Sequence, residues 1–123
     1  MNDLTDKKDI VVLVNKFYDK VNKDDTIAFF FNDIVKVNWD LHLPKMYDFW
    51  ETLIFGKMAY KGNPMLKHVI IAQTEPMEAH HFERWLYLWK ETIIENFKGK
   101  HADIALYKAE QIAGLMAFKV KQI

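Results

Sequence analysis

Tyr60-Lys61-Gly62-Asn63-Pro64-Met65-Leu66-Lys67-His68 is the stretch on which the reading of this chain turns. Gly62, Asn63 and Pro64 are the densest turn signals in the sequence and break any helix arriving from the N-terminal side. A short segment restarts at Met65 and Leu66 and presents His68 just before the apolar run Val69, Ile70 and Ile71. A histidine delivered from a turn into such a run needs a partner. Either a backbone group satisfies it in a core, or it faces a pocket and binds something there.

Working outward, the segment before the turn carries Trp39, His42, Leu43, Met46, Phe49, Trp50, Leu53 and Ile54 at offsets of three and four, an amphipathic helix. Pro44 belongs in a first turn, where a missing N–H costs little, so the helix is expected to start near Asp40 or Leu41 and to stop at Gly56. His42 and Met46 then share one stripe, about one turn apart. After the turn, Thr74 is the expected cap of a segment with Pro76 near its start. Its apolar stripe is Phe82, Trp85, Leu86, Trp89 and Ile93, running until Gly99, with Lys98 suited to the C-terminal dipole.

At the N-terminal end, Ile10, Leu13, Val14, Phe17, Tyr18 and Val21 predict a helix capped by Thr5 and running to about Val21. Asn22 to Asp25 reads as a turn, with Asp25 or Thr26 capping a short helical turn to Phe31 and a loop from Asn32 to Asn38. Phe29, Phe30 and Phe31 are consecutive and cannot all face one core. A last helix is expected from about Ala102 to Val120, burying Ile104, Tyr107, Ile112, Leu115 and Met116. No segment shows sustained two-residue alternation. The expectation is one all-α domain, 1–123, of about five or six helices held by packing rather than propensity.

Composition narrows the function. A chain of 123 residues buries enough surface to fold without a disulfide or structural metal, and the absence of cysteine excludes thiolate ligands and cysteine nucleophiles. Seventeen lysines and arginines, only one of them arginine, balance seventeen acids, which leaves no basic footprint for nucleic acid. The apolar runs are too short to span a bilayer and the first residues do not resemble a signal peptide, so a cytoplasmic protein without a membrane partner is expected. Aromatic residues make up 15%, with four tryptophans and nine phenylalanines. That number builds a bulky core or lines a slot for a flat ligand.

The five histidines do not make a zinc site, since no close His-x-x-x-His pair exists and the adjacent His80 and His81 point about 100° apart on a helix. Both read as solvated or rim residues, and His101 as a helix end at the surface. Haem asks for less: one protein ligand and an apolar slot. His68 is therefore either a core histidine with a backbone partner or a haem-iron ligand.

Three ordered blocks carry a resemblance. Trp39-Asp40-Leu41-His42-Leu43-Pro44-Lys45-Met46-Tyr47-Asp48-Phe49-Trp50, the Tyr60 to His68 stretch, and His81-Phe82-Glu83-Arg84-Trp85-Leu86-Tyr87-Leu88-Trp89 to Thr92 together resemble the group III (P-type) truncated haemoglobins of the globin superfamily. Phe17-Tyr18 and Phe31 fall where that family has its first-helix tyrosine and haem-stacking phenylalanine. Trp89 stands where phenylalanine is commoner, and Met46 where the family is often aliphatic. The resemblance implies a truncated globin, a two-over-two helical sandwich around haem b, with His68 as proximal ligand to a five-coordinate iron. It implies Tyr18, His42 and Trp85 on the opposite, distal face, where donors stabilise a ligand that takes up negative charge. His42 would stand at the distal entrance, as gate, donor or competing ligand. Phe31, Met46, Phe49, Trp50 and Leu66 would supply flat contact to the macrocycle, and Lys45, Tyr60 and Lys67 are the candidates for its propionates.

The implied activity is reversible binding of a diatomic gas: dioxygen, nitric oxide or carbon monoxide. One rival is a haem enzyme, a nitric oxide dioxygenase or a peroxidase-like catalyst, which would need a separate reductase because the chain carries no flavin or nicotinamide domain. The other is a haem-free helical module that offers a groove to a partner helix.

Overall fold

The computed structural model describes residues 1–29, 39–56 and 78–121. Within them lie four α-helices: α1 (Lys7–Lys23), α2 (Trp39–Phe55), α3 (Ala79–Asn96) and α4 (Lys100–Lys121). The Tyr60 to His68 stretch, the Asn32 to Asn38 loop, and Thr74 and Pro76 lie outside the described residues.

α1 buries the stripe its spacing predicts, Ile10, Leu13, Val14, Phe17, Tyr18 and Val21. Each such side chain contributes about 1.5–3 kcal/mol relative to exposure. Its cap is Asp6 rather than Thr5: the Asp6 carboxylate accepts from the Asp9 amide at 3.3 Å. The Asp9 carboxylate reaches back to accept from both the amide and the hydroxyl of Thr5, at 2.9 and 2.8 Å. α1 runs to Lys23, a little past Val21, with Asp24 as its C-cap, and the side chain that caps the following turn is that of Asp24, not of Asp25 or Thr26. The Asp24 carboxylate accepts from the amides of Thr26 and Ile27 at 3.0 and 3.3 Å and from Arg84 Nε of α3 at 2.6 Å. A second helix selects this aspartate over its neighbour. Phe29 is exposed, in keeping with three phenylalanines that cannot all turn inward.

α2 keeps Pro44 inside the helix, deeper than the first turn expected for it. Proline gives up the hydrogen bond to the Asp40 carbonyl, and packing of Met46, Trp50 and Ile54 outweighs that loss. Gly56, at φ 74°, ends the helix with its amide on the Thr52 carbonyl at 3.0 Å. Lys7 Nζ donates to Asp48 at 2.6 Å, and the Tyr47 hydroxyl donates to Asn15, so polar ties flank the α1–α2 seam.

α3 has Glu78 as its N-cap, and His81 takes a role not foreseen for it. The His81 ring accepts the Glu78 amide through Nδ1 at 2.8 Å, doing what a glutamate does in a capping box. Burial and then the neighbouring His80 hold the His81 pKa below its ordinary value, which suits a ring that must accept. The helix stops at Asn96, before Gly99.

α4 departs most from expectation. Met116 is buried as expected, but Tyr107 and Leu115 are 59% and 44% exposed, and the rest of the buried stripe is Ala102, Ala105, Ala109 and Ala113. The reason lies opposite: Trp89 is fully buried, stacks on Trp50 with centroids 4.1 Å apart, and donates its indole N–H to the Ala105 carbonyl at 3.1 Å. Only alanines leave room for α3 to approach so closely. The N-terminus of α4 is also tied, because the Asp3 carboxylate accepts from the amides of His101 and Ala102, each at 2.9 Å. His101 is thus half-buried, its Nδ1 2.9 Å from the Leu4 carbonyl and its ring edge-on to Phe55.

α1 packs on α2, and α3 on α4; the two pairs meet through α1 against α3 and α2 against α4. This two-over-two arrangement encloses an aromatic core in which Phe17 stands edge-on to Tyr18, Trp89 and Trp85.

Candidate functional site

Two of the three expected distal residues meet. Tyr18 faces inward from α1 and His42 comes from the first half of α2, with the Tyr18 hydroxyl 3.4 Å from His42 Nε2 and the rings nearly perpendicular at 5.5 Å. Either the phenol donates to a bare Nε2, or an Nε2–H donates to the phenol oxygen; the tautomer decides. Tyr18 is 7% exposed, and burial pushes its phenol well above its ordinary pKa. It is therefore a neutral hydroxyl, able to donate one hydrogen bond and accept another.

Trp85, on α3, does not share that contact. It joins the same cluster through Phe17, edge-on at 5.8 Å, and lies parallel to Trp89 at 6.4 Å. Met46 is buried one turn beyond His42, and Lys45 beside it is exposed. Phe49 stands edge-on to Trp50 at 5.3 Å, and Trp50 has one face on Trp89. Phe31, Tyr60, Leu66, Lys67 and His68 lie outside the described residues.

One residue at this site was not singled out from the sequence. Trp39, half-buried at the start of α2, has its ring 5.1 Å from Tyr18 and 5.6 Å from His42. On an apolar stripe a tryptophan reads as core, and the only available signal was its position three residues before His42, which puts both on one helix face.

Among the described residues no group of three or more histidines and acids stands close enough to hold a metal ion, and no described helix is long and apolar enough to cross a membrane. Two helix pairs packed around a buried tyrosine and the half-buried histidine it meets define a small globin of the truncated kind. The family model of bacterial-like globins matches residues 2–118, and the chain belongs to that family. It is similar to the Group 3 truncated hemoglobin ctb of Campylobacter jejuni, 29% identical over 110 residues that cover 87% of this chain and 84% of that protein. The crystal structure of the group III truncated hemoglobin from Campylobacter jejuni superposes with a TM-score of 0.84 at 27% identity, covering 98% of this chain and 95% of that one. The group III resemblance read from the sequence thus holds in sequence and in fold, and membership makes the chain a haem protein of globin type.

Proposed function

We propose that this chain, as one globin domain over residues 1–123, binds haem b through His68 and takes a diatomic gas on the opposite side, beside Tyr18, His42 and Trp85. The observation that carries the reading is the buried Tyr18 hydroxyl set against His42 Nε2 inside an otherwise aromatic wall. A core gains nothing from a phenol and an imidazole placed there, whereas a ligand that takes up negative charge does. The donor chemistry of the described side therefore fits a haem pocket. Haem, when bound, supplies the iron at which dioxygen, nitric oxide or carbon monoxide is held.

The chain's own residues would do the rest. His68 would bind through one ring nitrogen while its other N–H donates to a backbone carbonyl that sets tautomer and orientation. Tyr18, kept neutral by burial, would donate its proton to the ligand, and the Trp85 indole would add a second donor. Phe31, Met46, Phe49, Trp50 and Leu66 would exclude water from the macrocycle, with Lys45, Tyr60 and Lys67 near its carboxylates. We place the protein in the cytoplasm on the composition and charge of its sequence.

Absorption spectra of the purified chain supplied with haem test this reading. A Soret band that shifts with carbon monoxide, and that is lost or strongly altered in His68→Ala, is the expected result. Unchanged haem binding in that variant would remove His68 as the ligand.

A further inference from the structure

We propose that Trp39 is a positioning residue of this site: its indole holds the His42 ring against the Tyr18 hydroxyl. The proposal rests on the haem-pocket reading only for its consequence on a bound gas; the positioning itself is a matter of three rings. Tyr18, His42 and Trp39 form a nearly equilateral triangle, with centroids 5.1, 5.5 and 5.6 Å apart. The interplanar angles of 58°, 80° and 78° make each pair edge-to-face or tilted, within the range that aromatic quadrupoles favour.

The contact with Tyr18 is a loose tether for the imidazole. At 3.4 Å it lies at the long end for a hydrogen bond, and a histidine has two side-chain torsions through which to leave. Trp39 closes one of those exits. It precedes His42 by three residues on α2, so it stacks along the same face, and being only half-buried it covers the pair from outside while Phe17 backs Tyr18 from within. With the ring so held, an Nε2–H aimed at the phenol oxygen leaves the phenol proton for the ligand, and the two hydrogen bonds reinforce each other. A loose His42 ends that arrangement.

The test uses the purified full chain, carrying haem and carbon monoxide if it takes them up. Ring-nitrogen chemical shifts of His42, assigned with His42→Gln, should show one fixed tautomer in the wild type. In Trp39→Leu they should move toward the tautomer-averaged values of a free imidazole. Trp39→Phe, which keeps a ring edge, should restore the fixed tautomer and guards against reading a misfolded variant. In the haem-loaded protein, Trp39→Leu should speed dioxygen dissociation by about threefold to tenfold. That effect should vanish in a Tyr18→Phe background, because it acts through the pair. A His42 tautomer unmoved by Trp39→Leu, or an equal acceleration with and without Tyr18, would overturn the assignment. If the wild type takes up no haem, the haem reading falls, and the His42 shifts still decide the role of Trp39.

Discussion

Burial lifts the Tyr18 phenol above its ordinary range, so it carries its proton through the whole physiological range and donates rather than repels. Tyr18→Phe removes that donor and leaves the ring packing against Phe17. It should speed dioxygen dissociation from the haem-loaded protein by roughly tenfold to a hundredfold, the worth of one hydrogen bond to a charged acceptor, as measured by stopped-flow displacement. Trp85→Phe should also speed it, and unaltered rates in both variants would assign the donors elsewhere. Spacing put Tyr18 and Trp85 on apolar helix stripes, where alone they read as core; the resemblance to the group III truncated haemoglobins is what singled them out, with His42, as distal residues. The sequence could not show that Tyr18 and His42 meet while Trp85 stands off behind Phe17, since that depends on how the helices cross. Trp39 passed for core for the same reason.

At the scale of the element, the contact between α3 and α4 is set by small residues. Ala105 and Ala109 are fully buried. Ala105→Leu has no space beside Trp89 and should lower stability by about 1–3 kcal/mol in urea unfolding, more than any change at exposed Tyr107. Hydropathy alone favoured the stripe with Ile104, Tyr107 and Leu115, because large apolar residues outweigh alanine in any such reading. The volume already claimed by Trp89 and Trp50 is invisible until the helices are packed. The end of α1 makes a similar point, where Asp24 gathers two amides and the Arg84 side chain. Asp24→Ala should cost about 2 kcal/mol. Arg84→Ala should cost less, because that side chain is 40% exposed against 5% for Asp24.

At the scale of the molecule, the two pairs of helices are closed by a strap. Asp3 caps α4, and the Lys98 amide donates to the Asn2 carbonyl at 3.1 Å. Burial works to raise the Asp3 pKa, but the amides of His101, Ala102 and Leu4 outweigh it and hold it below the ordinary aspartate value. A carboxyl whose folded pKa is depressed adds stability that is present above its unfolded pKa and lost as pH falls through the folded one. The stability gap between wild type and Asp3→Asn should therefore be full near neutrality and close in acid below the ordinary aspartate range, as urea titrations at a series of pH values would show. A gap independent of pH would mean the carboxylate charge is not what holds the strap. Gly99 makes the approach feasible, with φ at 151° and no room for a Cβ beside the Asp3 side chain. Gly99→Ala should cost about 2 kcal/mol or more, checked by the same unfolding.

The strap also sets an order of events during synthesis. The chain leaves the ribosome from its N-terminus, and α1 can begin to pack on α2 while the rest is still being made. Asp3 and Asn2, though, wait for partners 96 to 99 residues later, at Lys98, His101 and Ala102. Asn2 and Asp3, made long before those partners, are thus among the last residues to be secured. A nascent chain halted before Lys98 emerges should leave the segment around Asn2 and Asp3 open to protease, and one released beyond Ala102 should protect it.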